Sequence, residues 1–156
     1  MNRELIAFHR GTGADSEGRL LEEILAWPDL KLEAVHDYIQ WLFPLPEPSA
    51  FNPRAPLLDA ETIATFRADP ALAASLRRAF RRMREFYQSP HWMEPGNHNL
   101  LRLTRILKSL RLLGLEDEAA ELHAWLESLP PEARARIGAR AYAFWREAAT
   151  TPTPPR

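Results

Sequence analysis

Five histidines, His9, His36, His91, His98 and His123, are the side chains best suited to proton transfer or metal ligation in this 156-residue chain. Their spacing serves neither. No His-Glu-x-x-His stretch occurs, and no two histidines stand four apart on a helical face, as a zinc site on one helix requires. Glu118 and His123 are five apart, a poor fit to one face. His36 and Asp37 are adjacent, so on a helix they point apart and form no dyad. With no cysteine, thiol catalysis, disulfides and cysteine zinc sites are excluded. None of Ser16, Ser49, Ser75, Ser89, Ser109 and Ser128 is the central serine of Gly-x-Ser-x-Gly, and there is no phosphate-cradling glycine loop. The sequence therefore predicts no catalytic residue, no metal and no cofactor. An enzyme would need an acid–base pair assembled from distant positions, such as His36 with His98.

Polar groups at positions that read as buried offer binding chemistry instead. His36, Gln40 and Trp41 precede a proline-rich stretch whose carbonyls need donors. Asn97, His98 and Asn99 form a concentrated polar turn, followed by Arg102 and Arg105 at the start of a basic helix. Two readings stand side by side. In one, these groups satisfy main-chain carbonyls and cap a helix. In the other, they leave one side free to grip a small peptide or polar ligand, with positive charge and a helix start favouring anionic groups.

The element that must position them is the strap that follows Leu42. Pro44, Pro46, Pro48, Pro53 and Pro56 prevent it from continuing a helix. It also carries Phe43, Leu45, Phe51, Leu57 and Leu58, which predict that it lies on the body of the protein.

Around the strap the periodicity predicts an all-α fold of about seven helices in one compact domain, residues 1–149, with the strap between the second and third. Residues 1–14 read as an irregular lead-in broken by Gly11 and Gly13. Helices are predicted over 15–27 and over 30–42, the second with Leu32, Val35, Ile39 and Leu42 as its core stripe. On that helix His36 and Gln40 share a flank. Asp59 caps a short third helix, and Asp69-Pro70 starts a fourth over 70–87. A fifth runs from Asn97 or Asn99 to Leu113, where Gly114 stops it. A sixth covers 116–129. A seventh covers 132–149 and buries Ile137, Phe144, Trp145 and Ala148. Residues 150–156 read as a disordered tail.

The net charge of −1 hides segregation. Residues 1–69 carry 6 basic and 12 acidic side chains, residues 70–113 carry 9 and 2, and residues 114–156 carry 5 and 7. A basic middle docked on acidic neighbours explains this pattern. A cationic surface for nucleic acid or an acidic partner, along the helices over 70–87 and 99–113, is the alternative. No stretch reaches the ~20 apolar residues of a spanning helix, and no secretory signal opens the chain. The expected location is cytoplasmic.

Two long motifs carry a resemblance. HDYIQWLFPLPEPSAFNPRAP and NHNLLRLTRILKSLRLLGLEDEA resemble the conserved domain of the opioid growth factor receptor family, and DSEGRLLEEILAWPDLKLE, FRADPAL and RRMREFY fit the same family. The matching positions include His36, Tyr38, Gln40, Trp41, His98, Asn99, Arg102, Thr104, Arg105, Lys108 and Ser109. The resemblance implies an all-α domain without catalytic activity. It also implies receptors for a small enkephalin peptide, associated in animals with the nuclear membrane region. The short sequence beyond the domain makes this chain resemble a stand-alone, microbial member.

Overall fold

Start signals and apolar stripes determine most of the helices. A computed structural model describes residues 1–154; residues 155 and 156, part of the expected tail, lie outside the described residues. Among the described residues the chain is all-α, with ten α-helices, one 3-10 turn and no strand beyond an isolated bridge between Leu45 and Leu57. Packing falls into two compact units, residues 1–82 and 83–156, and the division lies within one long helix.

The first unit contains α1 (Arg3–Arg10), α2 (Leu21–Leu25), α3 (Asp29–Ala34), α4 (Ile39–Leu42), α5 (Ala60–Ala68) and most of α6 (Pro70–Phe86). The expected lead-in is thus a helix. The Asn2 carboxamide oxygen accepts from the Leu5 N–H at its start, and Gly11, at φ 79°, closes it. It buries Leu5, Ile6, Phe8 and His9. The helix expected over 15–27 is only the short α2, and Asp15 lies in a loop before it. Its Oδ1 accepts from the N–H groups of Glu17 and Arg19, and its Oδ2 pairs with Arg19 Nε at 2.8 Å, which makes a loop. The helix expected over 30–42 is two helices. Val35 is extended at the end of α3, and the Tyr38 hydroxyl donates to the Leu32 carbonyl at 2.6 Å.

The strap's ends are buried and its middle is not. Phe43, Pro44, Leu45, Pro56 and Leu58 pack inward, and the Leu58 N–H donates to the Leu45 carbonyl at 3.0 Å. Pro46 to Pro48 and Ala50 to Phe51 are exposed, and Phe51 is 81% exposed. This corrects the expectation that Phe51 and Leu57 are buried. The prolines turn the backbone out between two fastened ends, so apolar character did not decide their burial.

The second unit takes the end of α6, the 3-10 turn Pro90–Trp92, α7 (His98–Leu112), α8 (Glu116–Glu127), α9 (Pro131–Ile137) and α10 (Ala139–Ala149). Its core is Phe86, Tyr87, Trp92, Leu103, Ile106, Leu107, Leu110, Leu122, Leu126, Tyr142 and Trp145. The helix expected over 132–149 breaks at Gly138, whose φ of 94° and ψ of 157° suit glycine alone. Phe144, expected in the core, is 42% exposed, and Tyr142 is buried in its place. Beyond α10 the chain stays attached: the Arg111 Nε donates to the Thr151 carbonyl at 2.9 Å.

Candidate functional site

The start of α7 is built by its own sequence. Pro95-Gly96 turns the chain, with Gly96 at φ 71°, and Asn97 caps the helix. The Asn97 Oδ1 accepts from the Asn99 N–H at 2.9 Å and from the Asn99 carboxamide at 3.0 Å. Asn99 is fully buried. Its Oδ1 accepts from the Tyr87 hydroxyl at 3.2 Å and lies 3.4 Å from Arg102 Nη1. The Trp92 indole N–H in turn reaches the Tyr87 carbonyl at 3.0 Å. Asn99 thus holds the helix start against the end of α6, to which Trp92 ties the 3-10 turn. A buried carboxamide with several partners is a structural fixture first.

Beside this fixture lies a groove. Asn97, Leu101 and Thr104 line it from α7, with Leu100 at its floor. Arg140, Ala141 and Phe144 of α10 form the opposite wall, and Ile137 closes it where α9 ends. The cavity volume is about 330 Å³. The Trp145 indole N–H donates to the Leu100 carbonyl at 3.1 Å, which ties α10 to α7 below the opening. Leu101, 55% exposed, and Phe144 stand at its edges as apolar groups presented to solvent. Apolar walls with a few polar groups are what small-ligand sites need.

The cations of α9 and α10 differ in their partners. Arg134 and Arg146 share Glu127, and Arg146, at 2.8 Å, is the main cause holding that carboxyl below its ordinary pKa. Arg136 donates to the Met93 carbonyl at 3.3 Å. Arg140 makes no ion pair or hydrogen bond among the described residues; its guanidinium lies over the Phe144 ring at 5.6 Å.

The sequence-predicted residues fall into separate settings. His36, Gln40 and Trp41 belong to the first unit. His36 is exposed in the break between α3 and α4, so it is not on a helical flank with Gln40. Gln40 is buried, and its Oε1 accepts from the Asn52 carboxamide at 3.3 Å, which fastens the strap. Trp41 is in the core against Phe8, and its indole nitrogen is buried without a partner, so it donates to no strap carbonyl. The clamp at this point is His9, whose Nε2 lies 2.9 Å from the Trp41 carbonyl oxygen. Sequence reasoning missed it because residues 1–14 read as irregular.

Asn97, His98, Asn99, Arg102 and Arg105 belong to the second unit, on two faces of α7. Asn97, Leu101 and Thr104 share the groove face. At about 100° per residue, His98, Arg102 and Arg105 lie a quarter turn or so round the helix. His98 and Arg105 are half-buried there. The groove's other residues, Ile137, Arg140, Ala141 and Phe144, were not among the predicted site residues. The sequence carried no signal for Phe144 at the groove, because Ala141, Phe144, Trp145 and Ala148 stand at i, i+3, i+4 and i+7 of one apolar stripe.

The arginine face of α6 has carboxylate partners within the first unit. Arg78 pairs with Glu22 at 2.6 Å, and Arg82 with Asp29 at 2.8 Å and with the Trp27 carbonyl. Arg10 with Asp69, and Arg19 with Asp15 and Asp37, pair within residues 1–69. Arg78 and Arg82 of the basic middle are thus neutralised by carboxylates of the acidic first stretch. Among the described residues, no cluster of three or more histidines and carboxylates is placed to hold a metal ion, and no helix is long and apolar enough to cross a membrane.

The described residues are all-α, and an apolar groove lies between α7 and α10 of the second unit. Residues 16–91 match the family model of the opioid growth factor receptor conserved region, and this stretch of the chain belongs to that family. It is 39% identical over 127 residues to the opioid growth factor receptor of Rattus norvegicus, covering 67% of this chain and 22% of the rat protein. It is 37% identical over 130 residues to that of Homo sapiens, covering 67% and 19%. It is 36% identical over 121 residues to opioid growth factor receptor-like protein 1 of Mus musculus, covering 64% and 26%. The chain thus spans between 19% and 26% of the length of these relatives. No solved structure matches it. The groove residues, 96–144, lie C-terminal to the segment that the family model matches.

Proposed function

We propose that the chain is a non-enzymatic binding domain that takes a short peptide, and that the groove between α7 and α10 receives it. The observation that carries this reading is the groove itself. It has an apolar floor and walls, polar groups at Asn97, Thr104 and Arg140, and a volume of about 330 Å³. Ligand sites of this kind run from about 300 to 1,000 Å³. The relatives' names, receptors for an opioid growth factor, support a peptide over other ligands. Within this reading Asn97 faces the ligand, and His98 and Arg105 form a polar flank on the next face of α7. Asn99 and Arg102 support the start of α7 rather than touch the ligand, and Gln40 and Trp41 belong to the core of the first unit. Their burial leaves them little surface to offer.

Calorimetric titration with short peptides, enkephalin-like ones among them, tests the reading. Ala141→Trp fills the groove and Leu101→Asp charges its lip. Each is expected to weaken binding by about tenfold or more, since lost apolar burial of one side chain is worth ~1.5–3 kcal/mol. Arg105→Ala is expected to have a smaller effect. Unchanged affinity in folded Ala141→Trp and Leu101→Asp proteins overturns the location.

A further inference from the structure

We infer that the groove takes the C-terminal end of a peptide, with an apolar last side chain against Leu101, Ile137 and Phe144 and the free carboxylate held by Arg140. This rests on the reading of the groove as the binding site. Asn97, Thr104 and Arg140 line it, and each has hydrogen-bonding capacity left unused. Arg140 is an exposed cation at the groove, and its partner among the described residues is a ring, not a carboxylate. A guanidinium presents paired N–H donors that match the two oxygens of a carboxylate. The stacking on Phe144 restrains this side chain, so less rotamer freedom is lost on binding.

The other two groups suit a peptide main chain. The Asn97 cap uses its Oδ1 alone, so the two N–H bonds of its carboxamide are not spent on the helix start. The Thr104 hydroxyl gives its proton to the Leu100 carbonyl at 3.2 Å, which leaves its oxygen as an acceptor. One donor, one acceptor and one cation around an apolar floor correspond to the carbonyl, the N–H and the carboxylate of a terminal residue. A fatty acid offers the carboxylate but nothing for Asn97 or Thr104. The volume, about 330 Å³, is at the small end for ligand sites, which suits a chain end of one or two residues rather than a helix lying in a long channel.

The test is a titration of the whole chain with tetrapeptides ending in Leu, Phe, Ser or Asp, each as the free acid and as the C-terminal amide, with octanoate as a comparison. Free acids ending in Leu or Phe are expected to bind best. Amidation is expected to weaken them by about tenfold or more in the wild type, as for loss of a charge-assisted pair. In Arg140→Gln, acid and amide are expected to bind alike, and Arg140→Lys is expected to recover part of the difference. Circular dichroism checks that each variant is folded. Amides that bind as well as acids, with binding still lost in Ala141→Trp, overturn the carboxylate assignment and leave the groove reading standing. Binding that ignores both Ala141→Trp and Leu101→Asp overturns the groove reading itself. Octanoate binding as tightly as the peptide acids overturns the peptide class, as does a failure of every peptide in the series to bind.

Discussion

The ring of His9 is fastened to the main chain of Trp41: His9 Nε2 lies 2.9 Å from the Trp41 carbonyl oxygen, with the ring wholly out of solvent. In the neutral ring this contact requires the proton on Nε2, so Nδ1 is a bare acceptor, and it has no partner. A second proton would be buried on Nδ1. Burial therefore pulls the His9 pKa from 6.5 down to about 4, and the Trp41 carbonyl offsets this in part. The unfolded chain takes up the proton first as pH falls. The stabilisation is complete above about pH 6.5 and is lost progressively toward pH 4, by about 3 kcal/mol in all. Urea denaturation between pH 4 and 7 should show this slope, and His9→Gln, which keeps a donor at the Nε2 position, should flatten it. An unchanged slope in that variant refutes the assignment. Asp59, held down to about 2 chiefly by the Thr62 hydroxyl, acts only below the ordinary carboxylate range, so the two windows do not overlap.

Two phenylalanines of the strap should respond in opposite ways. Phe43 is fully buried, and Phe43→Ala is expected to cost ~3–5 kcal/mol. Phe51 is largely exposed, and Phe51→Ser should stay within ~0.5 kcal/mol of the parent. Chemical denaturation of both variants measures this directly. Comparable losses at the two positions would show that the strap lies flat after all.

Arg82 and Arg78 sit on the same helix face with different surroundings. Arg82 is mostly covered and donates both to Asp29 and to the Trp27 carbonyl. Arg82→Ala should cost about 1.5–3 kcal/mol, as for hydrogen bonds to a charged group. Arg78 is half exposed in its pair with Glu22, and Arg78→Ala should cost ~0–1 kcal/mol and less at high salt. Melts of both variants at two salt concentrations separate the two cases, and equal losses would contradict them.

Gly138 joins α9 to α10 in a backbone conformation that side chains rarely adopt, yet no heavy atom lies within 4 Å of where a Cβ would stand. Gly138→Ala therefore isolates backbone strain from crowding. The expected loss is ~1–3 kcal/mol in urea denaturation. A stabilised or neutral variant would mean that the turn relaxes without cost. Because α9 and α10 both line the groove, the same variant should also weaken ligand binding.

The helices that carry their own start signals were legible in the sequence. Asp59 accepts from the Thr62 N–H, Asp69 from the Ala71 N–H, and Asn97 from the Asn99 N–H, each within two or three residues of the cap. These contacts are local, so the order of residues suffices to find them. The break at Val35 was not legible, because Leu32, Ile39 and Leu42 keep helical spacing across it. The Tyr38 hydroxyl that ends the stripe answers to the Leu32 carbonyl, a tertiary contact. Gly11 and Gly13 drew attention away from Asn2, whose cap starts α1 and thereby brings His9 under Trp41. Of the groove, Asn97 was visible as a polar cap. Its opposite wall was not, since Ile137, Arg140, Ala141 and Phe144 read as one more amphipathic helix until Gly138 divides it.

The projecting middle of the strap, residues 46–51, has one more outcome for the chain. Its flanks are secured by Leu45 with Leu58 and by Gln40 with Asn52, and the segments on either side are joined again by Arg10 with Asp69 and Arg82 with Asp29. A protease that severs the peptide there would release nothing. The two fragments would separate on a denaturing gel yet migrate together under native conditions, a nicked protein still wearing its original fold.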